Sequence, residues 1–177
     1  MEPTKATAPS ESAGHTAEQA PEGAWTTEDA NDLYLIDRWG SGYFDIGTDG
    51  HMRVAPLKER GSKISIYDVV QAAIKEENLR TPMLIRFQDI LHHRVKTLND
   101  AFNAAVQEER YRGTYRGVFP IKVNQERHVV EALLSEGANW QMGLEVGSKP
   151  ELIAVVALMA GRGSLMVCNG YKDEEYI

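Results

Sequence analysis

The sequence predicts an α/β protein whose larger part is built on a parallel β-sheet. From residue 82 onward, short apolar runs typical of strands alternate with longer segments whose apolar residues recur at helical spacing. Such alternation builds a parallel sheet through right-handed crossovers, with a helix between successive strands. The pattern leaves two architectures open, because the few predicted strands fit either an incomplete (β/α)8 barrel or a doubly wound sheet.

The predicted elements of this larger part follow one another closely. The longest helix carries an apolar stripe at helical spacing along its whole length. Pro150 in the first turn and Gly161 just past the end delimit the last helix. Strands are predicted at 83–87, 117–123, 142–146 and 165–168, and helices at 89–109, 129–134 and 149–160.

The N-terminal part is predicted to contain a tail and a small α+β segment. Residues 1–24 are rich in small and polar residues, so they bury too little apolar surface to fold, and we expect a disordered tail. In the segment 25–80, Thr26 begins a helix that reaches Trp39, and a second helix covers 64–78. Asp49-Gly50 between two β-prone runs predicts a hairpin. Residues 81–177 are then the first part of the α/β domain.

Composition excludes several classes of function. The net charge of -7 and the pI near 5.3 make the chain a poor binder of nucleic acid, and no apolar run approaches a membrane span. The N-terminus has no apolar core of a secretory signal, so we expect the cytoplasm. Cys168, the single cysteine, excludes an intramolecular disulfide and a zinc cage made of cysteines. We expect it to be a small core residue.

Lys122 is the residue that points most directly to chemistry. It ends the apolar run 117–123, and the polar residues Asn124 and Gln125 follow soon after it. Reactive groups in parallel α/β folds gather at the carboxyl ends of strands. Partial desolvation there would favour the neutral amine, which attacks an aldehyde to form a Schiff base. Position alone favours the alternative, a surface lysine whose stem packs while its ammonium stays in water.

Other polar residues near strand ends have both a functional and a structural interpretation. Glu145, at the end of the third predicted strand, either positions Lys122 or serves as a helix cap or ion-pair partner. For Ser148, an N-cap of the next helix is a simpler interpretation than a catalytic role. Residues 169–172 line the same edge or form a plain turn, which Asn-Gly favours. The helical pair 92–93, both histidine, has no carboxylate or cysteine at ligand spacing, so we expect packing or solvent exposure rather than metal binding.

Four long motifs resemble one enzyme family. They are YLIDRWGSGYFDI (34–46), VFPIKVNQ (118–125), GLEVGSKPEL (143–152) and VCNGYKDEEYI (167–177). Together they resemble the bacterial biosynthetic arginine decarboxylases, whose pyridoxal-phosphate (PLP) lysine motif also has a proline at the position of Pro120. The wider class, with ornithine and diaminopimelate decarboxylases and alanine racemase, has a PLP-binding (β/α)8 barrel and a β-domain. The resemblance therefore implies a partial PLP-binding (β/α)8 barrel behind the small α+β segment.

The resemblance also implies an activity and a cofactor. Lys122 would hold PLP as an internal aldimine, with Glu145 as a second cofactor-binding residue. The reaction implied is decarboxylation of L-arginine to agmatine and CO2 in the biosynthesis of putrescine and spermidine. A homo-oligomer is implied for the full-length form, and Mg²⁺ rests on the resemblance alone. No nucleic-acid or membrane partner is expected.

Several features of the family lie beyond these residues. The family's glycine-rich phosphate loop, ring-stacking histidine, acidic partner of the ring nitrogen and catalytic cysteine come later in the chain. We therefore expect a fragment of a longer gene product or a natural truncation, inactive by itself. Three alternatives stay open: a non-catalytic relative with a regulatory or binding role, a PLP-carrying barrel protein without decarboxylase chemistry, and a decarboxylase of another basic amino acid. The match at 25–60 argues against the second of these.

Overall fold

The computed structural model describes residues 23–177. Within this range the strands form two sheets of three, one antiparallel in the N-terminal segment and one parallel in the larger part. The tail predicted to be disordered falls almost entirely outside the described residues. In the described range, no helix combines the length and the apolar character that crossing a membrane requires.

The N-terminal segment is an antiparallel sheet flanked by short helices. The Thr26 hydroxyl accepts a hydrogen bond from the Asp29 N–H at 3.1 Å, and the Asp29 carboxylate accepts one from the Thr26 N–H at 2.8 Å, which confirms the capping-box start. The predicted hairpin around Asp49-Gly50 is confirmed as β1 and β2. The elements are α1 (Thr27–Tyr34), α2 (Ile36–Trp39), β1 (Phe44–Ile46), β2 (Met52–Val54), β3 (Ile64–Ser65) and α3 (Ile66–Lys75).

Two predictions for this segment need correction. The helix expected from Thr26 to Trp39 breaks at Leu35, which has a left-handed backbone with φ 53°, so that α1 and α2 are separate. The helix expected at 64–78 begins later, because residues 64–65 pair with β2 as the short strand β3. Ser65 then caps α3 by accepting the Asp68 N–H at 3.2 Å.

The larger part has the predicted alternation of helices and parallel strands. The strand order is β4-β5-β6, with Phe119 opposite Leu144 and Leu144 opposite Met166. Leu144 and Val146 are fully buried on the face that α5 and α6 cover, and they form the main core with residues of both helices. The elements are α4 (Gln88–Glu108), β4 (Val118–Pro120), α5 (Arg127–Glu136), β5 (Gly143–Val146), α6 (Lys149–Met159) and β6 (Met166–Cys168).

The prediction of a strand at 83–87 is wrong. These residues have no regular structure, and Leu84 is 78% exposed. A strand needs a neighbour for its backbone N–H and C=O groups, which an apolar run cannot guarantee. Here the chain passes the loop after β4, where Arg86 pairs with Glu126 at 2.6 Å, and it then enters α4.

The strand predicted at 117–123 is correct only in its first part. Ladder pairing ends at Pro120, which has no N–H to donate, and Ile121–Val123 form a turn of 3₁₀ helix. Lys122 therefore lies in a turn after the strand and not in the strand itself.

Candidate active site at the carboxyl edge of the parallel sheet

The turn after β4 presents Lys122 to solvent. Its neighbour Ile121 is buried in the main core, at 2% exposure, and holds the turn against the sheet. The Lys122 side chain is 66% exposed. The expectation that an apolar strand desolvates this amine is therefore wrong, because the 3₁₀ turn directs Ile121 inward and leaves Lys122 outside.

Glu145 lies beside Lys122 on the sheet face opposite the helices. Its register partners are Pro120 on β4 and Val167 on β6, and register partners in a sheet point to the same face. The carboxylate oxygen Oε1 lies 3.9 Å from Lys122 Nζ, and the Glu145 side chain is 20% exposed. The structure thus brings together the two site residues that the sequence singled out, as an ion pair longer than a hydrogen bond.

Glu151, which the sequence analysis missed, links the loops that carry this pair. Its Oε2 accepts a hydrogen bond from the Gly147 N–H at 2.7 Å, and its Oε1 accepts one from Gln125 Nε2 at 3.1 Å. Ser148 caps α6 as predicted, accepting the Glu151 N–H at 3.4 Å. The Ser-x-x-Glu spacing of residues 148–151 is the signal that could have found Glu151.

The loop after β6 closes against the loop after β5. The Asn169 N–H donates to the Val146 carbonyl at 2.8 Å. Gly170 has φ +85°, and a Cβ on it would lie 2.5 Å from the Gly147 carbonyl oxygen. Lys172 Nζ donates to the Gly170 carbonyl at 3.0 Å, so this lysine folds back on its own turn. Residues 169–172 thus form a bend after β6 that lies at the same edge of the sheet as the loop after β5.

A triad of charged residues fastens the start of α6 to the chain after β6. Lys149 Nζ lies 2.7 Å from Asp173 and 2.6 Å from Glu175. The hydrogen bonds to Asp173 and Glu175 raise the pKa of Lys149, so the ammonium stays charged. The three loops after β4, β5 and β6 are therefore connected at one edge of the sheet.

The larger part of the chain is similar to known pyridoxal-dependent decarboxylases. The family model "Pyridoxal-dependent decarboxylase, pyridoxal binding domain" matches residues 94–177. This match covers somewhat less than half of the chain. Across 86% of the chain, the sequence is 48% identical to the biosynthetic arginine decarboxylase of Thermosynechococcus vestitus and 49% identical to that of Gloeobacter violaceus. The chain spans about a quarter of the length of these relatives, since it covers 24% of each.

A solved structure agrees with this assignment and with the predicted partial barrel. The crystal structure of the biosynthetic arginine decarboxylase from Campylobacter jejuni superposes with a TM-score of 0.72 and 33% sequence identity. The match covers 81% of this chain and 24% of that chain. The α/β arrangement of the present domain is therefore that of the corresponding part of a PLP-binding barrel decarboxylase.

The residues at this edge of the sheet fit the aldehyde end of PLP. Lys122 offers an accessible primary amine, the group that binds an aldehyde covalently. Beside it, the sheet face of Pro120, Glu145 and Val167 is open, with Val167 36% exposed. An accessible amine next to an open face and a carboxylate meets the requirements of the cofactor's reactive end.

The remaining residues that the sequence singled out make contacts that stabilise the fold. His93 Nδ1 is joined to the Tyr43 hydroxyl by a hydrogen bond of 2.6 Å, which links α4 to the N-terminal segment. Cys168 is partly buried and packs against the main core, as predicted. Among residues 23–177, no three His, Cys, Asp or Glu side chains are grouped to hold a metal ion.

Proposed function

We propose that this chain supplies the cofactor lysine of a biosynthetic arginine decarboxylase, which converts L-arginine to agmatine and CO2 for polyamine biosynthesis. The support is the name that the similar proteins share, the match to the pyridoxal-binding family and the likeness to the Campylobacter jejuni structure. Because the chain spans about a quarter of its relatives, the activity is proposed for the complete gene product that carries it.

The pair of Lys122 and Glu145 is the observation on which the proposal rests. Both side chains stand at the carboxyl edge of a parallel sheet, where α/β enzymes place reactive groups. The lysine amine would bind the cofactor aldehyde covalently, and it would release the product when it returns to that bond. PLP supplies an acceptor for the electron pair that remains on the α-carbon when CO2 leaves.

Glu145 has a supporting role in this proposal. Its carboxylate lies 3.9 Å from Lys122 Nζ and carries the opposite charge to an ammonium, so it attracts the amine towards the open face without fixing its position. The carboxylate is also placed to exchange a proton with that nitrogen, through one water molecule or after a small approach. Anchoring and proton exchange are thus assigned to two neighbouring side chains.

Trapping the cofactor on its lysine tests the proposal. The complete gene product is incubated with PLP, reduced with borohydride and digested, and the modified peptide is identified by mass spectrometry. We expect the phosphopyridoxyl group on Lys122. Lys122→Ala should lose the modification and most of the agmatine formed, and Lys122→Arg should fail as well, because a guanidinium stays protonated.

The matched control is Lys172→Ala, because Lys172 also follows a strand at the same edge. This variant should keep both the modification and the activity. The proposal places the site on the wrong strand if the phosphopyridoxyl group is found on Lys172, or on a lysine after residue 177, while Lys122 is unmodified. If the cofactor binds but no agmatine is formed from arginine, the alternative is a decarboxylase that acts on another basic amino acid.

The remaining expectations belong to the same proposal. We infer a cytoplasmic enzyme with L-arginine as its small-molecule substrate and a homo-oligomer as its full-length form. Mg²⁺ rests on the family resemblance alone. The boundary between the segment 25–80 and the domain 81–177 is supported by the change from an antiparallel to a parallel sheet.

A further inference from the structure

The carboxylate of Glu151 joins two loops that are far apart in sequence. One of its oxygens takes the Gly147 N–H in the loop after β5, and the other takes the side-chain amide of Gln125 in the loop after β4. We propose that Glu151 is a positioning residue that sets the distance between Lys122 and Glu145. This inference rests on the proposed function, in which these two side chains act together.

Capping of α6 does not explain the contact of the Glu151 carboxylate with Gln125, although its contact with the Gly147 N–H follows the Ser-x-x-Glu capping pattern. Ser148 already caps the helix by accepting the Glu151 backbone N–H at 3.4 Å. The Glu151 carboxylate, in contrast, contacts groups outside the helix, at 2.7 Å to Gly147 and 3.1 Å to Gln125. Both are charge-assisted hydrogen bonds, which are stronger than those between neutral groups.

The position of this link in the chain allows it to set the separation of the two loops. Gln125 is three residues after Lys122, and Gly147 is two residues after Glu145. The backbone ladder between β4 and β5 ends at Pro120, opposite Glu145. Beyond that point the Glu151 carboxylate connects the two loops and replaces the missing ladder.

The contact between Lys122 and Glu145 is sensitive to such a link. At 3.9 Å it is not a hydrogen bond, so the two side chains do not fix their own separation. Lys122 is also largely exposed and has few neighbours to hold it. A displacement of about 1 Å at a reacting group can lower a rate on the order of a hundredfold, so the loop separation matters for turnover.

The test compares substitutions that remove or keep the link in the complete gene product. Glu151→Ala removes both hydrogen bonds. Glu151→Gln keeps both, because its amide oxygen accepts the Gly147 N–H and its amide nitrogen donates to a flipped Gln125. Gln125→Ala removes one bond. The control is Glu131→Ala, which breaks an exposed ion pair with Arg127 on α5 and leaves both hydrogen bonds of Glu151 in place.

We expect Glu151→Ala to lower kcat about tenfold or more with a smaller change in KM. It should also move the pH midpoint of the bound cofactor's absorbance change, because Glu145 no longer stands at a fixed distance from the lysine nitrogen. Glu151→Gln and Glu131→Ala should keep kcat within about twofold of the parent value. Their pH midpoint should stay within about 0.3 pH units of the parent, which is the variation expected of neutral surface changes. Gln125→Ala should fall between, and the double variant Gln125→Ala/Glu151→Ala should be no worse than Glu151→Ala.

The outcomes separate this inference from the proposed function. If Lys122→Ala keeps the trapped cofactor, the proposed function is wrong and the positioning of that lysine has no meaning. If Lys122 is the modified residue but Glu151→Ala keeps both kcat and the pH midpoint, only the positioning is overturned. Equal losses in Glu151→Ala and Glu151→Gln would also overturn it. Should Glu151→Ala fail to fold, Gln125→Ala decides, with an unchanged pH midpoint counting against the proposal.

Discussion

The ammonium nitrogen of Lys122 lies 3.9 Å from a carboxylate oxygen of Glu145, across the gap between the carboxyl ends of two parallel strands. The two residues reach this position by different routes. Glu145 is in a strand and directed by the pleat, whereas Lys122 is in a turn after Pro120 and directed by the burial of Ile121. Glu145 is therefore fixed by the strand, whereas the Lys122 side chain projects from a turn and is 66% exposed.

Neutralising the rigid partner should impair turnover. Glu145→Gln keeps the shape of the side chain but removes its charge, so the amine loses its electrostatic contact and, on the proposed function, the group that exchanges a proton with it. We expect kcat/KM for arginine in the complete gene product to fall at least about tenfold. Steady-state kinetics with Glu131→Gln as the control checks this, and unchanged kinetics would remove Glu145 from the site.

Truncating the sheet core should destabilise the domain. Leu144 is fully buried between the sheet and the helices, so Leu144→Ala leaves a cavity, and we expect a loss of about 2–5 kcal/mol in the free energy of unfolding. Ile153→Ala on the exposed side of α6, 72% exposed, should change it by less than about 0.5 kcal/mol. Urea denaturation of the complete gene product carrying each substitution gives the comparison. Similar losses for both would contradict the assigned core.

The antiparallel sheet should lose stability in acid through Asp45. The hydrogen bond from Arg53, at 2.9 Å, lowers the pKa of Asp45 below 3.8, and Lys63 adds to this while partial burial opposes it. A carboxyl group with a lowered pKa in the folded state contributes stability above its unfolded pKa, and this is lost as pH falls through the folded pKa.

Asp45→Asn removes this titration. We therefore expect the variant to be less stable than the parent near neutral pH and to approach it as the pH falls below about 3.8. Thermal unfolding at a series of pH values measures the difference. A gap between the two proteins that stays constant into acid would show that the ion pairs of Asp45 do not affect folding.

The 177-residue chain by itself should associate. β4 and β6 are the edges of the parallel sheet in the described residues, and the face of Val167 is open to solvent. Unpaired edges and apolar faces favour contacts between chains. Analytical ultracentrifugation should show oligomers or aggregates, with the complete gene product as the comparison. A soluble monomer with a sharp two-state transition would contradict this.

The same chain should not decarboxylate arginine. Among residues 23–177 we assign groups for the aldehyde end of PLP, but none for its phosphate or ring nitrogen, so the cofactor would be held weakly. The measurement is agmatine formation from arginine with PLP present. Agmatine above the level of a sample without protein would show that these residues suffice.

The fold was predictable where it depends on local pattern. The alternation of helices and strands, the caps at Thr26 and Ser148 and the hairpin at 49–50 all follow from residues near each other in sequence. The strand at 83–87 was predicted wrongly, since its apolar run shows no sign of whether a neighbouring strand is available. The two-residue strand β3 was missed, because it is too short for a period to appear.

The site was predictable in part for the same reason. Lys122 and Glu145 stand out because each ends a strand-like run, and parallel strands bring such ends together. The exposure of Lys122 was not predictable, since it follows from the turn that begins when Pro120 ends the ladder. The link through Glu151 joins residues 26 positions apart in sequence and depends on how two loops pack, which no local pattern contains.

The close approach of Gly170 to Gly147 limits how this edge of the sheet can be redesigned. A Cβ at residue 170 would enter the backbone of the neighbouring loop, and its φ of +85° already disfavours any L side chain. Position 170 is therefore closed to variation in a mutant library. The next residue, Tyr171, is 87% exposed, so a library can place its diversity there without disturbing the contact between the two loops.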